Sequence, residues 1–531
     1  MSKLIEFNDV ARAKMLKGAT TLCNAVNITL GPKGRNVVID RPYDSPLITN
    51  DGVTIAKEIS LSDPVENLGA SIIKGACVKT NDIAGDGTTT ATVLAQKIFS
   101  EGIKYLNAGA NPIMLREGMK KAADFVIENV KANVLKIEDN TAIKQIASVS
   151  SGSEETGELI ANAFEKVGLN GIITLSDSPN MQTDLKIVEG MRLNRGYISP
   201  YMCTDTNKLV AELNNPYIFI TDKRITNINE ILQVMEKVSN AGGELLIIAE
   251  DLDGDALTTI ALNNMRKAFT CLGVKAPHFG TRRKLELEDI AIAVGAKYFS
   301  QDLYTNFNTI ELSDLGRAEK IKSDKDTTTI IGAKGDKNEI DARVQQIREE
   351  LNTQEDNYEK EILNERISIL SGMVANIRVG AISEIELKEK KLRIEDALNA
   401  TRSAIDEGVV AGGGVALLKA KFALIEKIKN ETENDDKLGK IIVINSLEEP
   451  ARQIAKNAGV DDGVVVEKIK NNNNINYGYD AKNDTYGDMI KLGIIDPFKV
   501  TRTALSTAVS VASTMLTTEC VVAECIDNKN S

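Results

Sequence analysis

The run Ala84-Gly85-Asp86-Gly87-Thr88-Thr89-Thr90-Ala91-Thr92 leads directly into Val93, Leu94 and Ala95, and it constrains the fold more tightly than any other stretch of the chain. Two glycines bracket a carboxylate and let the backbone pass close to a neighbour, while threonine hydroxyls sit where a helix must begin. The free amides and the macrodipole of a helix N-terminus attract anions, and Asp86 is the hard oxygen ligand that Mg²⁺ takes when it bridges phosphates. No Gly-Lys-Ser/Thr follows, so this is not a Walker A loop. On residue types alone, a Thr-capped glycine turn with no ligand reads equally well.

At 531 residues the chain is long enough for two to four domains with a large apolar interior. Acidic residues outnumber basic ones, 76 to 64, and Trp is absent, which argues against nucleic acid as the main partner. The cysteines, Cys23, Cys77, Cys203, Cys271, Cys520 and Cys525, form no CxxC pair, and His278 is the only histidine. Zinc sites and Ser-His or Cys-His catalysis therefore lack raw material, and scattered thiols fit a reducing compartment. Met1 to Val10 carries Glu6 and Asp9 without an apolar core, so no secretory signal is expected and the cytoplasm follows. Ala504 to Cys525 imitates a membrane span, but its hydroxyls, Glu519 and Glu524 predict a buried core helix instead.

Residues 1 to about 132 are helical in pattern and rich in Ala, Gly and Val, and the same texture returns from about 407. Between roughly 189 and 374, short strand-like runs such as Tyr217 to Thr221 and Leu245 to Ala249 alternate with helical stretches, predicting an α/β insert. Ile340, Val344, Ile347 and Leu351 recur at helical spacing, followed by Ile362, Ile367 and Leu370, predicting two antiparallel helices. The charged run Glu384 to Glu395 reads as a solvated helix face, and asparagines 471 to 474 as a polar loop.

Two further glycine turns complete the pattern. Thr29-Leu30-Gly31-Pro32-Lys33-Gly34-Arg35-Asn36 can wrap a phosphate, and Gly412-Gly413-Gly414 opens the apolar stretch Val415 to Leu418. Three such turns in two zones of like texture suggest one nucleotide pocket assembled from both ends of the chain.

These residues carry a resemblance. Thr29 to Asn36, Asp51-Gly52-Val53, Ala84 to Gln96, Val188 to Met191, Arg195-Gly196-Tyr197, Asp326 to Ile331, Lys388 to Leu398, Val409 to Leu417, Tyr477-Gly478-Tyr479 and Asp496 to Arg502 together resemble the group I, GroEL-like chaperonins over nearly the whole chain. The resemblance implies a mainly α subunit with an α/β apical insert. Its equatorial domain would span 1–132 and 407–531, its intermediate domain 133–188 and 375–406, and its apical domain 189–374. Such subunits stack as two seven-membered rings, a homo-oligomeric tetradecamer around a chamber, with no nucleic acid or membrane partner.

By the same resemblance Thr29, Leu30, Gly31, Pro32, Asn50 and Asp86, Gly87, Thr88, Thr89, Thr90 would hold ATP, with Asp86 on Mg²⁺ and K⁺ as a further cofactor. Gly413, Asp480, Ala481, Lys482 and Asp496 would surround base and ribose. Asp51 and Asp396 would position and activate the attacking water, although spacing alone makes Asp396 a helix-surface carboxylate. Tyr197, Tyr201, Met202, Leu232, Met235, Leu257, Ala261 and Leu262 would face the chamber and bind non-native clients and a co-chaperonin lid; their spacing alone reads as core packing. Gly190, Gly372 and Gly408 would be hinges.

Several positions depart from the family pattern. Asn50 replaces a usual Lys, Asp480 and Lys482 a usual Asn and Ala, and Met373 the second glycine of a Gly-Gly hinge. His278 and Thr281 interrupt a familiar segment, and Ile526 to Ser531 lacks Gly-Gly-Met repeats. Two other readings compete with the folding chamber. One is a small-substrate phosphotransferase, for which no second substrate site stands out. The other is a binding scaffold of chaperonin fold with weak turnover. The source, bacterial or organelle-encoded, is left open.

Overall fold

Glycines set the helix crossings. The helices Asn8–Asn27 and Pro64–Ala84 meet where a Cβ on Gly18 would fall 1.8 Å from the Glu66 carbonyl oxygen and one on Gly69 would fall 2.2 Å from that of Met15. The helices Pro112–Lys131 and Asp435–Ser446 cross in the same way at Gly118 and Gly439. No side chain larger than hydrogen fits either crossing, which is why Ala and Gly abound in these zones. Caps fix where the helices begin: Asp63 accepts from the amides of Val65 and Glu66 at 2.8 and 3.1 Å, with Pro64 in the first turn.

The computed structural model describes residues 3–40, 46–137, 140–169, 171–178, 180–206, 208–303, 307–354, 356–370 and 372–524. It divides into two compact units. The first comprises Met1–Asn162, Asp177–Asp184 and Val379–Ser531, and the second Ala163–Ser176 and Leu185–Arg378.

In the first unit, Leu22, Val26, Ile73, Leu94, Ile98, Phe99, Leu115, Leu505 and Leu516 share one core, each large side chain contributing about 1.5–3 kcal/mol. The apolar run from Ala504 is not a single helix. The helix Phe498–Leu516 ends, the chain turns through Thr517 to Glu519, and the strand Cys520–Glu524 pairs antiparallel with Lys3–Phe7. Cys525 and the tail to Ser531 lie outside the described residues, and no described helix is long and apolar enough to cross a membrane. Glu384–Glu407 is one helix whose charged run forms i,i+4 pairs, Glu384 with Lys388 and Glu386 with Lys390, both at 2.8 Å.

The second unit is built on a mixed sheet of ten strands. Cys271–Lys275, Leu245–Ala249 and Tyr217–Thr221 lie parallel, joined by the helices Leu232–Asn240 and Gly254–Met265. Leu245 to Ala249 is buried throughout, as an unbroken apolar run in a covered parallel sheet should be. The helix Gly280–Val294 leads to Tyr298–Phe299, which pairs parallel on the other side of Tyr217–Thr221. The expected helix pair is Lys337–Thr353 and Asn357–Leu370, with Ile340, Val344 and Ile347 buried. Buried Asp289 ties both to the helix before them, accepting from Nε of Arg343 at 2.8 Å and Nε of Arg366 at 2.6 Å.

Candidate active site

The first unit contains the three glycine turns. Gly85, at φ +69°, ends the helix Pro64–Ala84, and Gly87, at φ +78°, opens Thr88–Asn107. Two left-handed residues in three turn the chain sharply and hold Asp86 between them. A Cβ on Gly85 would sit 2.4 Å from Cβ of Asn399, and one on Gly87 2.4 Å from Cγ1 of Val500. Asp86 accepts from the Gly87 amide at 2.5 Å and from Oγ of Ser150 at 3.3 Å. No side chain caps the helix that follows, so its first amides keep their affinity for an anion.

The Thr29 turn lies alongside. Oγ1 of Thr29 is 3.3 Å from Oγ1 of Thr89, and the Gly34 amide closes onto the Gly31 carbonyl at 2.9 Å. Nδ2 of Asn457 clamps the turn, donating to the carbonyls of Leu30 and Asn27 at 2.9 and 2.8 Å. Asp51, after Asn50, caps the short helix Gly52–Glu58 and accepts from the amides of Val53 and Thr54 at 3.1 and 3.0 Å. Gly52 lies against the hydroxyls of Thr88 and Thr89, where a Cβ would come within 2.8 Å of both. The turns at Thr29, Asp51 and Asp86 thus meet at the start of one helix.

The far end of the chain supplies the remaining wall. Val409–Ala411 pairs with Ile495–Pro497, placing Val410 opposite Asp496. A Cβ on Gly412 would lie 3.0 Å from Oδ1 of Asp496, and one on Gly413 3.9 Å from the Tyr479 carbonyl. Asp480 folds the turn between Tyr477–Asp480 and Thr485–Asp488, accepting from the amides of Lys482 and Asn483 at 2.9 and 3.3 Å and from Nδ2 of Asn483 at 2.7 Å. Ala481 is buried, and Lys482 reaches out to within 3.9 Å of Glu154.

Burial, then the charge of Asp86, pushes the Asp496 carboxyl up to about 7. Burial likewise raises Asp86; the bonds from Gly87 and Ser150 oppose that rise, and the charge of Asp51 adds to it. Both carboxylates keep some solvent-accessible surface while protein encloses them on their other sides, as groups lining a concavity do. Among the described residues, no cationic side chain is one of the groups acting on either. Asp396 is half-buried on Glu384–Glu407. One turn further on the same face, Asn399 meets Gly85, and two turns on Oγ of Ser403 donates to the Ala84 carbonyl at 2.8 Å. The helix face carrying Asp396 is therefore docked on the Asp86 turn.

Of the glycines expected to act as hinges, the Gly190 amide donates to the Gly372 carbonyl at 3.1 Å, and a Cβ on Gly190 would sit 2.5 Å from the Ile330 carbonyl oxygen. Gly408, at φ +81°, ends the helix Glu384–Glu407. Met373 is half-exposed at the start of its strand.

In the second unit the eight apolar positions separate. Tyr201, Leu232 and Leu262 are exposed, by 65, 38 and 45 %, while Leu257 and Ala261 are partly covered. Tyr197, Met202 and Met235 are core residues rather than surface ones. The Tyr197 segment extends the edge of Cys271–Lys275, the Met202 sulfur accepts from the Gly273 amide at 3.3 Å, and Met235 lies on the inner face of its helix beside Val234 and Val238. Met265, 63 % exposed, joins the surface set, a residue that the i,i+3 step from Leu262 could have flagged. Gly254–Met265 packs against both Pro200–Met202 and Ile228–Glu230, which brings these side chains toward one surface. Ser150, Asn399 and Asn457 also escaped sequence reasoning, because nothing local distinguishes a hydroxyl or amide that supports a distant turn.

Residues 22–525 match the model of the TCP-1/cpn60 chaperonin family. A similar solved structure is that of the chaperonin gp146 from the bacteriophage EL 2 (Pseudomonas aeruginosa), crystallised in the presence of ATP-BeFx. At 22 % identity it covers 98 % of this chain and 99 % of its own, with a TM-score of 0.65. The fold is the chaperonin fold, largely helical with sheets, and the chain belongs to the TCP-1/cpn60 chaperonin family.

Proposed function

We propose that the chain is an ATP-hydrolysing subunit that captures non-native polypeptides on its exposed apolar surface and promotes their folding in a ring chamber closed by a co-chaperonin lid. Family membership supports the chaperone role, and the ATP analogue in the phage chaperonin's crystals supports nucleotide binding. The observation that carries the reading is the meeting of Asp51, Asp86 and Asp496, from distant points in the chain, among three glycine turns.

In this reading Thr29 to Pro32, Asn50 through its backbone, and Asp86 to Thr90 hold the triphosphate. Gly413, Asp480, Ala481, Lys482 and Asp496 line the base and ribose. Enclosed carboxylates without a cationic partner fit a divalent cation, so Asp86 is assigned to Mg²⁺, with K⁺ nearby. Among the described residues no three His, Cys, Asp or Glu form a ready-made cage, and Mg²⁺ is commonly held by one or two carboxylates with phosphates and waters. When bound, Mg²⁺ neutralises charge developing on the phosphates. Asp51 and Asp396 orient the water and take its proton. Placing Asp396 on an intermediate domain (133–188 and 375–406) between equatorial (1–132 and 407–531) and apical (189–374) domains would make hydrolysis depend on closure.

A scaffold with weak turnover is the second reading. Asp51 favours it, because both carboxylate oxygens are already engaged in capping. ATP hydrolysis and refolding of a denatured client, measured for wild type and Asp396→Ala, separate the two. We expect the variant to bind ATP and client while turnover falls by about 10²-fold or more. Normal turnover by the variant removes Asp396 from the chemistry, and an inactive wild type leaves the scaffold.

A further inference from the structure

The only histidine sits in a strained turn of the second unit. His278 lies between the strand Cys271–Lys275 and the helix Gly280–Val294, at φ +53°. That left-handed conformation costs a non-glycine residue of order 1–3 kcal/mol and persists only where the surroundings enforce it. Gly280 follows at φ +59°, a conformation glycine adopts freely. Phe279, between them, is extended and 75 % exposed, its ring 5.5 Å from the Arg283 guanidinium. The backbone state of His278 therefore sets where an exposed aromatic ring points.

The His278 side chain is held by a buried carboxylate. Nδ1 of His278 lies 2.7 Å from Oε2 of Glu286, a carboxylate 1 % exposed, whose other oxygen accepts from Nε of Arg282 at 3.1 Å. Because a carboxylate only accepts, Nδ1 carries the proton in both charge states of the ring, and protonation adds a full positive charge to the contact. The other charges around this turn are mixed. Arg283 donates from Nε to the His278 carbonyl at 3.3 Å and pairs with Glu250 at 2.8 Å. Lys275 pairs with Asp251 at 3.0 Å, and Lys284 with Asp302 at 2.5 Å while lying 3.9 Å from Asp222.

We propose that protonation of His278 locks this turn and holds Phe279 on Arg283, and that deprotonation frees the ring, making the surface a pH-dependent one. Histidine is the side chain whose ordinary titration falls between about pH 5 and 8. The imidazolium–carboxylate contact with Glu286 offsets the strain at His278; the neutral ring makes a weaker bond, and the backbone relaxes toward extended φ, swinging the residue that follows.

The chain contains no tryptophan, so Phe279→Trp installs a single reporter in the full-length protein. Its fluorescence anisotropy should fall through one single-proton step as the pH is raised. Lifetimes recorded alongside separate motion from quenching by imidazolium, and far-UV circular dichroism confirms the fold. In a His278→Asn background, where Asn tolerates left-handed φ but does not titrate, the trace should be flat. In Glu286→Gln the anisotropy should be low at every pH. Anisotropy that does not change with pH in the reporter protein, or a step that survives His278→Asn, overturns the proposal.

Discussion

Asp496 is held well above an ordinary carboxylate's titration range. Its folded pKa of about 7 lies above the unfolded value, so its contribution is most favourable at low pH and is lost as the pH rises from about 4 to about 7. Asp496→Asn should therefore raise the melting temperature of nucleotide-free protein, the gain growing over that window, while weakening binding of ATP with Mg²⁺. A melting temperature that falls at pH 8 would contradict the cost of burying this charge beside Asp86. Gly87 tests the turn itself. Gly87→Ala meets both left-handed strain and Val500, whereas Gly109→Ala, at φ +92° with open space, meets strain alone. Urea unfolding should show a loss of about 1–3 kcal/mol for Gly109→Ala and a larger one for Gly87→Ala. The Gly-Asp-Gly turn was legible because two glycines around a carboxylate ahead of a threonine run suit a helix start, with or without a ligand. The packing of the helix face that carries Asp396 was not, since a carboxylate on a helix looks the same whether it faces water or a neighbouring turn.

At the scale of elements, two sets of ion pairs tie helices together. Asp289 is fully buried between Arg343 and Arg366, so Asp289→Ala removes the carboxylate the two guanidiniums share, leaving Arg343 with Glu288, and should cost the second unit about 3–5 kcal/mol in chemical denaturation. Glu407 is held below the usual carboxylate range by its bonds from Arg502, burial opposing; Nε of Arg502 donates to Oε2 at 2.6 Å. A depressed folded pKa gives stability above the unfolded value that disappears as the pH falls through the folded one. Arg502→Gln should therefore lower the urea midpoint at pH 7, and the difference from wild type should shrink below about pH 4. A difference constant with pH would remove the ion pair from the account. Strands Tyr217–Thr221 and Leu245–Ala249 could be read to the residue, because short runs dominated by apolar residues suit little besides a covered sheet. The run from Ala504 could not, because apolar content is shared by the helix and by the strand that follows the Thr517 to Glu519 turn. Met202 and Met235 were misplaced for a related reason. On an amphipathic element, which apolar residues remain outside depends on neighbours distant in sequence, as Gly273 is for Met202.

For the whole molecule, the proposed rings predict a large assembly by size exclusion with light scattering, and a monomer under every nucleotide condition would contradict them. The central claim is that both ends of the chain build one nucleotide site. Calorimetric titration of ATP with Mg²⁺ into wild type, Asp86→Ala and Asp496→Ala tests it most directly. The account predicts binding by the wild type and at least tenfold weaker binding by each variant, about 1.4 kcal/mol or more; a wild type that does not bind, or either variant binding as tightly as the wild type, would contradict it.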